Sequence, residues 1–266
     1  MSEAPFSRRL LSVAGMDELG AYRLLRVADP DTPEPDPGQF AMLAAAERWG
    51  GGYDERPYLP RAFSIARRSG AESHFLLEDL GPGSRRLSEL RAGEQVWVLG
   101  PLGRGFSPPP HGRRAILAGG GAGIAPLAIL QDTLGGEASV LLGFRDAAHA
   151  AGARLLRDAW VATDDGSAGH RGPVTDLLAH ELERDPMASV YACGPAPMLE
   201  AVRAMAAALE VPAQLALEAP MACGFGACFG CAVAARRGGY LRVCIDGPVI
   251  DAAALDAVDP HAGAPA

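Results

Sequence analysis

Four of the five cysteines stand as Cys223-x4-Cys228-x2-Cys231 with a distant partner, Cys244. A C-x4-C-x2-C run with one remote cysteine is the plant-type ligand spacing of a two-iron, two-sulfur cluster. The residues between the ligands are small: Gly224, Gly226, Ala227 and Gly230. Four thiolates around a cluster carry net negative charge, so backbone N–H groups must turn inward to the sulfurs, and glycine lets a chain wrap that closely. A zinc knuckle on Cys228-x-x-Cys231 is the alternative. Structural zinc sites usually pair two short knuckles, however, and here the second half has a single cysteine. A cluster of this kind moves one electron at a time, so the rest of the chain must supply an electron donor site.

At 266 residues the chain has room for two or three packed units. From Leu10 to Val98 the segments LLSVAG, YRLLRVAD, AFSIARR, SHFLLEDL and EQVWVLG read as short strands separated by turn-rich stretches. An antiparallel barrel over residues 1–108 is expected, with a sandwich as the alternative that spacing alone leaves open. AAAERWGGGYDERPYLP reads as a longer excursion before the RAFSI strand. After SPPPHGRR the pattern becomes an alternation of strands (RRAILAG, SVLLGFR, VATDD, SVYACGP) and helices (APLAILQDTL, RLLRDAW, TDLLAHELE, PAPMLEAVRAMAAAL). Such alternation predicts a parallel α/β sheet over residues 109–213. A small glycine-rich unit with the cysteines follows over 214–266, and its last residues, HAGAPA, read as frayed.

The net charge of −8 argues against a phosphate-backbone partner, so no nucleic acid is expected. All 24 basic residues are arginine, which excludes a lysine Schiff base or lysine general base. The start MSEAPFSRRL has no apolar signal core, and no apolar run approaches the ~20 residues of a membrane span. A cytoplasmic protein follows, and in that reducing compartment clustered cysteines hold metal more readily than they form disulfides.

Gly119-Gly120-Gly121-Ala122-Gly123-Ile124-Ala125-Pro126 follows one strand and opens a helix. Gly119, Gly121 and Gly123 permit close approach of a pyrophosphate, the helix start offers unpaired N–H groups, and Pro126 suits a first helical turn. A tight turn without ligand is the plainer reading of this G-x-G-x-x-P loop. Cys193-Gly194-Pro195 ends the last strand of the same sheet, where open parallel sheets bind ligands; a small thiol there can lie against a nicotinamide ring, or simply be buried. Arg61-Ala62-Phe63-Ser64 places an arginine suited to phosphate beside an aromatic suited to covering a planar ring. Hydride donation from nicotinamide and single-electron acceptance by a cluster require a flavin or similar carrier between them. Gly83-Ser84 offers a second phosphate-binding turn, or an ordinary turn before a helix capped over Arg85 to Leu90. Arg145, after the second strand of the sheet, suits either NADH or NADPH.

With PRAFSI, GGGAGIAPL, ACGPAPM and MACGFGACFGCAV followed by VCIDGPVI in this order, the chain resembles the ferredoxin reductase superfamily, and within it the electron-transfer subunits of heteromeric, NAD-linked dihydroorotate dehydrogenases. The resemblance implies a multi-domain β plus α/β fold: a flavin barrel, a nicotinamide domain and a [2Fe-2S] domain. It implies that electrons pass from NADH to FAD and through the cluster to FMN in a separate dihydroorotate dehydrogenase catalytic subunit, within a heterotetramer of pyrimidine biosynthesis, so that this chain carries no catalytic residue for dihydroorotate itself. Arg61, Ala62, Phe63 and Ser64 would hold the flavin, with Leu76, Leu77, Glu78, Gly83 and Ser84 as further contacts, and Cys223, Cys228, Cys231 and Cys244 would ligate the cluster. Glu78 stands where a basic residue is expected, Ala62 where proline is frequent, and Pro220 where arginine is common. A flavin/iron-sulfur subunit serving a hydrogenase, a transhydrogenase or an oxygenase, and a zinc-stabilised nucleotide-binding module, are the competing functions. A surface-near cluster is expected, with Asp246-Gly247-Pro248 as a candidate docking edge.

Overall fold

The computed structural model describes residues 8–50, 57–135 and 138–258. The first seven residues, the middle of the excursion before the RAFSI strand and the HAGAPA tail lie outside them. Six antiparallel strands, β1 (Arg9–Leu19), β2 (Tyr22–Ala28), β3 (Phe40–Ala45), β4 (Arg61–Ser69), β5 (Glu72–Glu78) and β6 (Gln95–Leu102), close into a barrel in the order β1-β2-β5-β4-β3-β6. Closure comes from β1 against β6, with Arg9 opposite Val98 and Leu11 opposite Val96, so the sheet keeps no free edge. Alternation turns Leu25, Val27, Leu43, Ile65, Phe75, Leu77, Val96 and Val98 into the barrel, where helix α1 (Pro82–Ser88) adds Leu87.

Part of the outward side of the barrel is apolar. Tyr22, Leu24, Ala66 and Leu76 join one apolar core with the following domain, and Phe40, Met42 and Leu102 join another. This explains why β3 escapes a reading by period: all six residues of FAMLAA are buried, so no alternation marks the strand.

The second sheet comprises β7 (Arg114–Gly120), β8 (Ser139–Phe144), β9 (Ala159–Thr163), β10 (His170–Arg171), β11 (Ala188–Cys193) and β12 (Ala213–Ala216), in the order β10-β9-β8-β7-β11-β12 and parallel throughout. The chain builds β8 to β10 on one side of β7 and then returns to its other side with β11, so the order reverses between β7 and β11. That reversal opens a crevice at the C-terminal ends of the two strands. Helix α2 (Ala125–Thr133) covers one face through Leu127 and Leu130. After the short α3 (Ala147–Ala150), α4 (Val174–Arg184) and α5 (Ala196–Ala208) cover the other through Leu178, Leu182, Leu199 and Val202. RLLRDAW is not the expected helix. A 3-10 turn ends at Leu155, Asp158 takes a left-handed φ of 52°, and β9 begins at Ala159.

The cysteine segment leaves the edge of this sheet after β12. It forms a small hairpin of β13 (Ala232–Ala234) and β14 (Tyr240–Arg242) and returns as β15 (Val249–Asp251), antiparallel to β12 with Ile250 opposite Leu215. Gly247 and Pro248 are buried, with the Arg104 N–H donating to the Gly247 carbonyl, so this turn packs on the barrel end instead of forming an exposed docking edge. Among the described residues no helix is long and apolar enough to cross a membrane.

Candidate functional site

Cys231 and Cys244 are buried with their sulfurs 3.2 Å apart, while Cys223 is half-buried and Cys228 exposed. Backbone N–H groups close on the sulfurs: Gly226 donates to Cys244 Sγ at 3.2 Å, Cys244 to Cys231 Sγ at 3.4 Å and Gly230 to Cys228 Sγ at 3.5 Å. Burial disfavours the Cys223 thiolate, yet hydrogen bonds from the amides of Phe225, Cys228 and Ala227 and from the Cys228 thiol outweigh it and bring the group down to about 6. Cys244, by contrast, is pushed up to about 12 by burial and by Cys231 beside it, so it ionises only with a cation at hand. Among the described residues no three Cys, His, Asp or Glu side chains are placed to share a single metal ion. Two thiol pairs, 223 with 228 and 231 with 244, suit two irons that each take two cysteines, and fit a two-iron cluster better than one zinc.

Gly224 and Gly226 take left-handed φ values of 80° and 85°. A Cβ on Gly224 would lie 2.5 Å from Met42 Cγ and 2.8 Å from its Sδ, so the cysteine loop rests directly on barrel strand β3. Met42 stands opposite Ala62 on β4, and Phe40 opposite Ser64. Ala62 and Ser64 therefore face outward, and Phe63 packs with the barrel interior. The expectation that Phe63 covers a planar ring is corrected by this register: the outward face of the strand is small and polar. Arg61 Nη1 donates to the Leu59 carbonyl at 2.6 Å, and Arg61 packs so closely on Gly83 that a Cβ there would meet its Nε at 2.6 Å. The arginine and the Gly83-Ser84 turn thus form one corner. The Ser84 hydroxyl is committed within that corner, accepting from the Leu80 and Gly81 amides at 2.9 and 3.1 Å at the start of α1. On β5, Leu77 faces the barrel core, whereas Leu76 and Glu78 face the second domain.

The glycine loop and the CGP turn meet at the strand reversal. A Cβ on Gly123 would lie 2.6 Å from the Cys193 carbonyl and the Gly194 nitrogen, and one on Gly194 3.0 Å from Gly120. Gly119 is likewise enclosed by Leu127, Leu142 and Ile124. These glycines let two backbones touch. Gly121 differs: φ is 56° and its Cα faces open space apart from the Tyr22 hydroxyl, 3.9 Å from where a Cβ would stand. Pro126 lies buried in the first turn of α2. Cys193 is buried in the core shared with the barrel, and burial, aided by Glu218, raises its thiol well above the ordinary range, so it stays neutral.

The residues matched by the family model for the iron-sulfur cluster binding domain of dihydroorotate dehydrogenase B are 218–256, the whole cysteine segment. The dihydroorotate dehydrogenase B (NAD(+)) electron transfer subunit of Desulforamulus reducens is 35% identical over 226 residues, covering 80% of this chain and 84% of that one. Its counterpart from a Geobacillus species is 39% identical over 228 residues, covering 81% and 85%. This chain belongs to that family. Among solved structures, that of an NADH-dependent reduced ferredoxin-NADP oxidoreductase superposes with a TM-score of 0.78 at 24% identity, over 94% of this chain and 91% of the other. The likeness is one of fold.

Residues that the family motifs do not mark also converge on the crevice. Glu218, just past β12, is open to solvent but walled by protein that raises its carboxyl pKa, with Glu78 adding to the effect. Tyr22 is buried with an unpartnered hydroxyl, and burial pushes it to a pKa above the ordinary range. The ring of His149 meets Tyr22 edge-on at 5.6 Å. No sequence motif contains these side chains: the register of β2 against β5 sets Tyr22 opposite Glu78, while His149 comes from α3 and Glu218 from the segment after β12.

Proposed function

We propose that the chain is the electron-transfer component of a dihydroorotate dehydrogenase, carrying electrons between NAD(H) and a partner catalytic subunit through FAD and a [2Fe-2S] cluster. The observation that carries this reading is an ordering on the barrel's outward wall. Tyr22 and Glu78 on β2 and β5 stand beside the glycine loop, Ala62 and Ser64 on β4 come next, and Phe40 and Met42 on β3 carry the cysteine loop. This order of strands supports a reading in which donor, carrier and acceptor lie in a row. When bound, a flavin takes a hydride and releases its electrons singly, and the cluster accepts them one at a time.

In this reading Arg61 and the Gly83-Ser84 turn hold the flavin's phosphates, while Ala62, Ser64 and the backbones of Phe63, Leu76, Leu77 and Glu78 line its bed. Gly121 faces the dinucleotide, in a loop that Gly119, Gly123 and Pro126 shape by packing it on the Cys193-Gly194-Pro195 turn. Cys223, Cys228, Cys231 and Cys244 hold the cluster, and the exposed Cys228 marks the end that faces the partner. The inward amides of Gly226, Cys244 and Gly230 stabilise thiolate charge. The barrel over 1–108, the α/β unit over 109–213 and the cluster unit over 214–266 then correspond to the three carriers. The partner is an FMN-binding dihydroorotate dehydrogenase subunit, joined in a cytoplasmic heterotetramer of pyrimidine biosynthesis.

The test is an anaerobic visible titration of the purified chain with NADH, beside iron and acid-labile sulfide analysis. Flavin and cluster bands that bleach together, with about two irons per chain, are expected. A colourless, zinc-containing protein that resists iron-sulfur reconstitution would overturn the reading.

A further inference from the structure

Glu78 ends β5 on the barrel's outward wall, and its carboxylate crosses to the second domain. It pairs with the Arg145 guanidinium at 3.2 Å and lies 3.4 Å from His149 Nε2. Arg145 is further shared: its Nε is 3.8 Å from Asp146 and 3.3 Å from His149 Nδ1. Asp146 also binds His149, accepting its backbone N–H at 3.0 Å and facing its Nδ1 at 2.6 Å.

The place of this cluster matters. Arg145 directly follows β8, the strand beside the one that bears the glycine loop. In dinucleotide-binding sheets the position about 20 residues beyond that loop reads the adenosine ribose: a carboxylate accepts from a 2′-hydroxyl, and a nearby arginine accommodates a 2′-phosphate. Tyr22 ties the two features together, its hydroxyl 3.9 Å from the Cβ position of Gly121 and its ring against His149. Arginine at this position alone would admit NADPH. Here its charge is already matched by Glu78, and Asp146 adds a second carboxylate; Glu218 stands near enough to Glu78 for their charges to interact. The Arg171 side chain lies over the Gly166 turn.

We propose that Glu78, by holding Arg145 and presenting a carboxylate beside it, makes this site select NADH against NADPH. The inference rests on the reading of the glycine loop as the dinucleotide site. A 2′-phosphate would bring its negative charge up to Glu78 and Asp146 beside an Arg145 that is already paired, whereas a 2′-hydroxyl donates to either carboxylate. Like charges set face to face are among the stronger sources of discrimination.

Equilibrium binding of NAD+ and NADP+, and of 5′-AMP and 2′,5′-ADP, to the flavin- and cluster-loaded chain tests this. The intact protein should prefer the forms lacking the 2′-phosphate, and the preference should shrink as salt screens the carboxylates. Glu78→Gln should narrow it by about tenfold or more, and adding Arg145→Ala to that variant should restore part of it, since Asp146 remains. Arg145→Gln alone should leave the preference in place or widen it, which keeps the proposal testable if Glu78→Gln does not fold. Equal affinity for NAD+ and NADP+ in the intact protein, an unchanged ratio in Glu78→Gln, or a preference lost in Arg145→Gln would each overturn it. If neither dinucleotide binds the intact protein, the nucleotide-site reading itself falls, and this proposal with it.

Discussion

Gly224→Ala tests the contact that joins cluster loop to barrel. The substitution places a side chain at φ 80°, which costs ~1–2 kcal/mol for a non-glycine residue. Its Cβ would stand 2.5 Å from Met42 Cγ, 2.8 Å from Met42 Sδ and 3.2 Å from Leu102 Cδ1, against a favourable separation of about 3.5–4.0 Å. Met42 is 2% exposed and has no room to swing aside, so the loop or strand must move by about 1 Å, an overpacking cost of ~1–3 kcal/mol. The total is ~2–5 kcal/mol. Met42→Ala removes the obstacle at its own cost of ~2–5 kcal/mol, and in that background Gly224→Ala should cost only the backbone share. The assay is a double-mutant cycle on the urea midpoint for loss of cluster absorption in the loaded protein. A coupling of ~1–3 kcal/mol is expected; an equal penalty for Gly224→Ala in both backgrounds would refute the idea that the loop is seated on Met42.

Cys228→Ser should abolish the cluster's visible absorption while NADH still bleaches the flavin; retention of a full complement of iron and sulfide would remove Cys228 from the ligand set. Gly123→Ala drives a Cβ into the Cys193 and Gly194 backbones and should lower stability by more than ~2 kcal/mol with loss of NADH binding, whereas Gly121→Ala, facing open space, should cost only ~1 kcal/mol by thermal unfolding. Burial raises the Glu181 carboxyl, but hydrogen bonds from Ser139 and Arg114, each 2.7 Å, outweigh it and hold the group below the ordinary range. Its folded pKa lies below the unfolded one, so this stabilisation is full above about pH 4.3 and is lost as pH falls through the folded value. Glu181→Gln should therefore flatten the acid limb of a stability–pH curve, and an unchanged limb would show that other carboxylates set it.

The cysteine spacing, the glycine loop and the CGP turn were legible because close approach of one backbone to another, or to sulfur, restricts residue type at fixed offsets. The alternating strands were legible where one side of a strand faces the barrel core and the other faces water. FAMLAA was not, since both of its faces are buried and an alanine-rich strand has no period to read. RLLRDAW carried a helical pattern that the left-handed Asp158 interrupts, and no local signal marks aspartate as the residue that will adopt that conformation. The side that Phe63 faces is not legible, because period two fixes which residues share a side, not which side is outside. That is decided by the pairing with β3, the strand the pattern hid.

The same hidden strand bears on how the relay is held. The residues proposed for the cofactors, Arg61, the loop glycines and the cysteines, sit on three separate segments, and none of them sets the spacing between its neighbours. That spacing is fixed by Phe40, Met42 and Leu102, which share a core with Cys231 and Cys244, and by Tyr22, Leu24 and Leu76, which share one with Ile124 and Leu127. Close-packed apolar interfaces are stiff and respond to the loss of a methylene. The distance from carrier to carrier is thus a property of barrel-wall packing. Conservative changes at Phe40 or Met42 should alter transfer between flavin and cluster while leaving every ligand in place, and changes at Leu24 or Leu76 should act on the nucleotide side of the same wall.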